Sequence, residues 1–308
     1  MARKRRGGHR GDSTVSLAIR APDSSAVEAL RKSCKVMFVD NSKTMTVSVS
    51  RHRFDMQAAG HRLHAERIEL RDATGPTLVF LHEGLGSIGQ WKGFPTQLCL
   101  ACSLPGLVYE RWGFGRSEPL TGPRRSDYLH YEALDSLPAV LECCGITTPP
   151  ILIGHSDGGT IALLFAAAFP DRPHAIITEA AHVFVEEITL AGIRIASQLY
   201  ETTDWPQQLA HYHGPNTDAM FRGWCDTWLR PEFRDWNIVA ELQQIICPAL
   251  IIQGEDDEYG TPAQVETIAA RVAGPVTTRL IPHCAHVPHH QARARVLVEM
   301  QRFIAAVI

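Results

Sequence analysis

Hydrophobic positions in this chain fall into short continuous runs, separated by stretches in which they recur every three or four residues. The runs are "TLVFLHE" from Thr77, "GLVYE" at 106–110, "ILIGH" at 151–155, "HAIITEA" at 174–180, "ALIIQGE" at 249–255 and "TTRLIPH" at 277–283. An uninterrupted apolar run of this length suits a strand buried on both faces. Between the runs lie helical patterns such as "YLHYEALDSLPAVLECC", "GGTIALLFAAAF", "PAQVETIAARVA" and "ARARVLVEMQRFIAAVI". Strand and helix in alternation predict a mostly parallel sheet with helices on both faces. Ahead of them, "MQAAGHRLHAERIEL" predicts a strand pair turning at Gly60.

Two stretches depart from this rhythm. Residues 1–53 show no sustained periodicity and are expected to form a poorly ordered extension, although "SSAVEALRKS" has helical spacing and "TMTVSVSRH" is strand-like. Its basic start lacks the apolar segment of a secretory signal. From about His182 to Gln244 the strand signal stops, and helix-like segments carry Trp205, Trp224, Trp228 and Trp236. An insertion of this kind between two strands predicts a helical cap over the carboxyl ends of the sheet, where open α/β folds bind ligands. The tryptophans suit packing between helices as well as the lining of a pocket. The expected domains are therefore an extension at 1–53, a core at 54–181 and 245–308, and a cap at 182–244.

Composition narrows the partners. A net charge of −3 gives no electrostatic footprint for nucleic acid or an anionic membrane, and no apolar run reaches the length that spans a bilayer. The eight cysteines are scattered, several of them in apolar surroundings, which fits reduced thiols and a cytoplasmic protein.

The chemistry centres on Gly154-His155-Ser156-Asp157-Gly158, a G-x-S-x-G pattern placed directly after a strand and directly before a helix. By composition alone the pattern would turn up in about one chain in ten of this length. Its setting sharpens it: a serine on a tight strand-to-helix turn needs neighbours without side chains, and the helix N-terminus favours negative charge at the serine oxygen. Such a serine needs a histidine to take its proton and a carboxylate to orient that histidine. Asp256 and Asp257 follow the run "ALIIQ", and side-chain chemistry does not separate them. His283, His286, His289 and His290 follow "TTRLI". The order Ser, Asp, His along the chain fits the α/β-hydrolase arrangement. A metal site at the histidines and Cys284 is the weaker reading, because no second ligand set accompanies them. His82 and His155 read as structural. No cofactor and no metal are expected.

"LHEGLGS", "YERWGFGRS", "IGHSDGG", "QGEDDEYG" and "PHCAHVPHH" together resemble, in order, the motifs of the α/β-hydrolase superfamily over Phe54 to Ile308. The resemblance implies an α/β-hydrolase fold with a mostly parallel eight-stranded sheet, helices on both faces and an inserted helical cap. It also implies Ser156 as nucleophile, Asp257 as triad acid, His286 as general base, and an oxyanion hole from the N–H groups of Asp157 and Gly84. Three positions depart from the usual motifs: Glu83 and Trp112 stand where glycines are common, and Cys284-Ala285 precede the base. Glu83 leaves Leu85 or Glu83 itself as alternative oxyanion donors.

The expected activity is that of a carboxylesterase taking small to medium, largely apolar esters. Its expected partner is a small-molecule ester, with self-association into a homodimer left open and neither nucleic acid nor membrane involved. Hydrolysis of carbon–carbon bonds in ring-cleavage diketones is the second enzymatic reading, and it would need a cation for the substrate carboxylate, with Arg111, Arg194 and Arg222 as candidates. A non-catalytic ligand receptor on the same fold is the reading from a different class.

Overall fold

A computed structural model describes Ser48–Ile308. The helix anticipated at "SSAVEALRKS" lies outside the described residues, as do positions 44–47 of the strand-like "TMTVSVSRH", whose remaining part opens the first strand. The sheet has eight strands: β1 (Val49–Ala58), β2 (His61–Leu70), β3 (Leu78–Leu81), β4 (Gly106–Tyr109), β5 (Ile151–His155), β6 (Ala175–Glu179), β7 (Ala249–Gly254) and β8 (Val276–Ile281). Their order is β1-β2-β4-β3-β5-β6-β7-β8. β1 and β2 form the antiparallel pair around Gly60, β2 joins β4 antiparallel, and all further pairings are parallel. β1 begins at Val49, so five residues assigned in sequence to the extension, 49–53, belong to the sheet.

Every residue of β3 to β7 is buried, as their unbroken apolar runs require. One face is covered by α1 (Phe94–Cys102) and the C-terminal helix Arg293–Val307, whose Val296, Met300 and Ile304 recur at helical spacing in one core cluster. A π-helical turn, Glu132–Ser136, joins the helices α2 (Tyr128–Tyr131) and α3 (Leu137–Cys143) on the other face. On the same face α4 (Asp157–Ala168) packs on β3, β5 and β6, while α3 packs on β1. Only Ala168 of α4 is exposed, which explains why "GGTIALLFAAAF" lacks a polar stripe.

The cap holds α5 (Glu187–Thr202), α6 (Trp205–His213) and α7 (Thr217–Leu229). Its two ends are tied by a bridge between Phe184 and Asn237 and by the Ile238 N–H to the Val183 carbonyl at 2.9 Å. The sequence reading carried the cap to residue 244, but the turn Glu241–Gln244 packs against α4 of the core. Cap residues Ile193, Phe221, Trp224 and Trp228 share one apolar cluster with the core. Among the described residues no helix is long and apolar enough to cross a membrane.

The end of β7 shows how the sheet places loops. Gly254 lies so close to the next loop that a Cβ would sit 2.0 Å from the Cys284 carbonyl oxygen and 2.3 Å from that of Ala285. Both contacts are backbone, so they yield only by moving the segment that leads into His286. Gly254→Ala is therefore expected to lower stability by about 1–3 kcal/mol or more, read from denaturant unfolding. An unchanged midpoint would show that the loop does not depend on this approach.

Candidate active site

Ser156 stands between β5 and α4 with φ 52° and ψ −116°, a backbone conformation that non-glycine residues rarely adopt. The crowding around it explains the two flanking glycines. A Cβ on Gly154 would lie 2.1 Å from the Gly158 carbonyl oxygen, and one on Gly158 would lie 1.9 Å from the Leu81 carbonyl oxygen. The Ser156 N–H donates to the Glu179 carbonyl at 2.8 Å, which fixes the turn to β6.

Ser156 Oγ lies 3.0 Å from His286 Nε2, and His286 Nδ1 lies 2.8 Å from Asp257 Oδ1. All three side chains are buried. The structure also separates the two neighbouring acids: Asp257 is buried and accepts the Tyr259 N–H at 2.9 Å, whereas Asp256 is exposed. Burial works against a charged imidazolium at His286. The Asp257 carboxylate, through its charge and its hydrogen bond, outweighs that effect and raises the His286 pKa above its ordinary value. Burial likewise opposes ionisation of Asp257, but His286 holds its pKa below the ordinary value.

The four clustered histidines take different places. His286 meets Ser156, while His289 is buried with its Nδ1 3.2 Å from Glu179 Oε2. His290 is half-buried, and His283 is exposed in a turn with φ 55°. Among the described residues no group of three or more His, Cys, Asp or Glu is arranged to hold a metal. His155 Nε2 donates to the His286 carbonyl at 2.7 Å and so anchors the backbone of that residue.

A buried arginine ties together the two segments that carry the predicted oxyanion donors. Arg111 is fully buried, with both terminal nitrogens 3.5 Å from Asp157 Oδ2 and Nη2 2.8 Å from the Glu83 carbonyl oxygen. His82 Nε2 accepts the Arg111 N–H at 3.1 Å, so its proton sits on Nδ1, which donates to the same Glu83 carbonyl at 2.8 Å. Burial, reinforced by the Arg111 charge, holds the His82 pKa far below its usual value and keeps the ring neutral. Two donors thus draw the Glu83 C=O toward Arg111. Because a trans peptide unit points its C=O and the next N–H in opposite directions, the Gly84 N–H is directed away from Arg111. Leu85, the alternative donor, commits its N–H to Glu83 Oε2 at 2.7 Å. Asp157 is the first residue of α4, where a helix has no internal acceptor for its N–H.

The cap closes over this arrangement. Trp224 of α7 lies against Gly84, where a Cβ would come within 2.4 Å of its ring. Trp228 Nε1 donates to Tyr128 Oη at 2.9 Å, and Tyr128 in turn donates to Asp157 Oδ2 at 2.8 Å. A cavity of about 220 Å³ lies beside Ser156 and His286, with Ile193, Trp205, Leu209 and Trp224 contributed by the cap. It adjoins a second lobe of about 320 Å³, and the two share Glu83, Gln90, His155, Trp205, Leu209 and Val287. Trp236 instead stacks on Phe233 at 5.5 Å, away from the cavity. A larger cleft of about 720 Å³ near Trp112 and Tyr131 contains none of Ser156, Asp257 and His286.

The candidate cations for a substrate carboxylate are all elsewhere. Arg111 is committed to Asp157 and Glu83, Arg194 is exposed on α5, and Arg222 pairs with Glu201 and Asp218. Tyr128, and the link of Trp228 through it to Asp157, were not anticipated in this region. Tyr128 and Trp228 lie in ordinary helical patterns, and only the fold brings them to Asp157.

Comparison with known proteins agrees with the fold. A model of the alpha/beta hydrolase family matches residues 78–299, and the chain belongs to that family. Human serine hydrolase BPHL is 28% identical over 194 residues, covering 59% of this chain and 63% of that protein. The chain thus matches less than two thirds of the length of the first curated relatives. The 2-hydroxy-6-oxononadienedioate/2-hydroxy-6-oxononatrienedioate hydrolase of Comamonas testosteroni is 22% identical, over 63% of this chain and 76% of its own. Among solved structures, the serine hydrolase involved in carbazole degradation (the CarC enzyme) shares the fold with a TM-score of 0.65 at 14% identity, covering 83% of this chain and 100% of its own.

Removing Arg111 strands a buried carboxylate. Arg111→Met is expected to destabilise the fold by about 3–5 kcal/mol in denaturant unfolding, and Asp157→Asn combined with it should recover part of that loss. If the double variant is no more stable than Arg111→Met alone, the two groups are not coupled.

Proposed function

We propose that this chain is a serine hydrolase of carboxylic esters, working by acyl transfer. The observation that carries the reading is the continuous hydrogen-bonded series from Ser156 Oγ through His286 to Asp257, at 3.0 and 2.8 Å. In this reading Asp257 holds the proton of His286 on Nδ1, which leaves Nε2 free to accept the Ser156 proton. The serine oxygen attacks the ester carbonyl, and the N–H groups of Gly84 and Asp157 stabilise the oxyanion, each lowering the barrier by roughly 3 kcal/mol. His286 then returns its proton to the departing alcohol. Water, activated by the same histidine, releases the acid.

The apolar walls supplied by Ile193, Leu209, Trp205 and Trp224 favour small to medium apolar groups. Carbon–carbon bond hydrolysis has less support. The Comamonas relative is named for dienedioate substrates, which carry carboxylates, whereas neither Lys nor Arg is among the side chains lining the cavity beside Ser156.

A fluorophosphonate probe is expected to label wild-type protein and to leave Ser156→Ala unlabelled. Equal labelling of both, or of neither, refutes the reading. Asp257→Asn should reduce kcat by about four orders of magnitude against p-nitrophenyl esters. The pH dependence follows from His286, which must be neutral to accept a proton. Because its pKa is raised, activity is lost as pH falls through a value above the ordinary 6.5. An ascending limb of kcat/KM centred at or below 6.5 would contradict this.

A further inference from the structure

Glu83 is the departure from the family motifs that borders the cavity beside Ser156, and the mechanism above does not use it as a reacting group. Its place is unusual for a carboxylate. It follows the buried strand β3 and His82, and its side chain borders both lobes of the cavity. Its conformation is fixed at two points: the backbone carbonyl is held by Arg111 and His82, and Oε2 accepts the Leu85 N–H at 2.7 Å. Oε1 has no hydrogen-bond partner among the described residues, and no Lys, Arg or His lies within ion-pair distance of the carboxylate there. Arg111 and His286 favour its ionised form through their charge but do not pair with it. Asp257 already pairs with His286, and Glu258 accepts the His286 N–H at 3.1 Å. Asp157 is bound to Arg111 and Tyr128, and Lys92 lines only the outer lobe.

The buried imidazoles add no charge to the wall. His182 Nε2 donates to the Tyr259 carbonyl at 3.0 Å, as His155 does to that of His286, so each ring keeps an unprotonated Nδ1. Burial is the main cause that lowers the pKa of both rings and keeps them neutral. A wall that holds a preset carboxylate with no ion-pair partner, beside imidazoles that carry no charge, is electrostatically matched to a group that donates hydrogen bonds and carries positive charge.

We propose that Glu83 is a specificity-determining residue that binds an ammonium group of the substrate where the two lobes meet. On this view the preferred substrates are esters bearing a protonated amine. The proposal rests on the ester-hydrolase reading for turnover, but the binding preference itself does not require catalysis. Burial raises the Glu83 pKa, and a bound cation opposes that shift by favouring the ionised form.

The test compares charged esters with neutral isosteres. L-Alanine benzyl ester against benzyl 2-methylpropanoate places the cation on the acyl side, and 2-(dimethylamino)ethyl propanoate, protonated at neutral pH, against 3-methylbutyl propanoate places it on the alcohol side. In at least one pair, wild type is expected to favour the cation by about ten- to hundred-fold in kcat/KM, the range of a hydrogen bond to a charged group. Glu83→Gln, which retains an oxygen to accept the Leu85 N–H, should reduce that ratio to near one. The same pairs are titrated calorimetrically into Ser156→Ala and into Ser156→Ala with Glu83→Gln. If wild type cleaves none of the esters yet Ser156→Ala still binds the cationic member more tightly through Glu83, the hydrolase reading fails and the ammonium site stands. Cleavage with equal preference, or a preference for the neutral esters in both pairs, overturns the ammonium site even if the Glu83 variant does not fold.

Discussion

A guanidinium cannot shed its charge in a protein interior, so burying Arg111 obliges the surrounding chain to supply acceptors. The acceptors come from two different loops. The Glu83 carbonyl lies after β3 and the Asp157 carboxylate lies at the start of α4, while Arg111 itself follows β4. Three neighbouring strand ends are thereby held at one spacing. The proposed oxyanion donors are the N–H groups next to these anchors, which places their separation under the control of one buried ion pair. Well-formed donors of this kind are useful only if they do not reorganise during the reaction. A charge that tolerates no unpaired alternative is a physical way to keep them fixed.

The cap is tied into the same network. Tyr128 passes the link from Asp157 to Trp228, and Trp224 touches Gly84 at a point where no side chain would fit. Both tryptophans come from α7, so one cap helix contacts both sides of the donor pair. Movement of α7 away from the core would open the cavity and release these contacts together. Substrate access and the shape of the site are in this sense coupled mechanically, by packing and hydrogen bonds on a single helix.

The parts legible in the sequence were those with a local signature. Buried parallel strands declare themselves as unbroken apolar runs, and all six such runs became strands, although β8 at the sheet edge buries only Ile281. Ser156 was legible because the glycines on either side answer to backbone contacts only about 2 Å from where a Cβ would be. Asp256 and Asp257 were inseparable by chemistry, since burial alone distinguishes them. Arg111 was considered as a ligand for a substrate carboxylate because an arginine beside a strand end reads alike whether its partner is a ligand or a buried Asp157. The limit of the cap was misplaced at 244 because Leu242 and Ile245 carry the same apolar spacing in a cap helix or under α4. Hydrophobic period reports which residues are buried, not which layer buries them.

Histidine–carboxylate pairs at this end of the sheet show how much depends on surroundings. His286 with Asp257 and His289 with Glu179 are both buried and both within 3.2 Å of their acids. The outcomes are opposite. His286 is raised, whereas burial, reinforced by Arg293 and Lys92, pushes His289 down to about 3. Burial also drives Glu179 up to about 7. Burial therefore works toward neutral forms in the Glu179 pair, whereas Asp257, aided by Glu258 and Glu83 on the cavity side, shifts His286 toward its protonated form. Negative charge gathered around His286 and positive charge near His289 separate one ring suited to accepting a proton from another suited to holding structure. Glu83 belongs to both halves of this argument: it adds to the field that raises His286, and it stands in the cavity wall without an ion-pair partner.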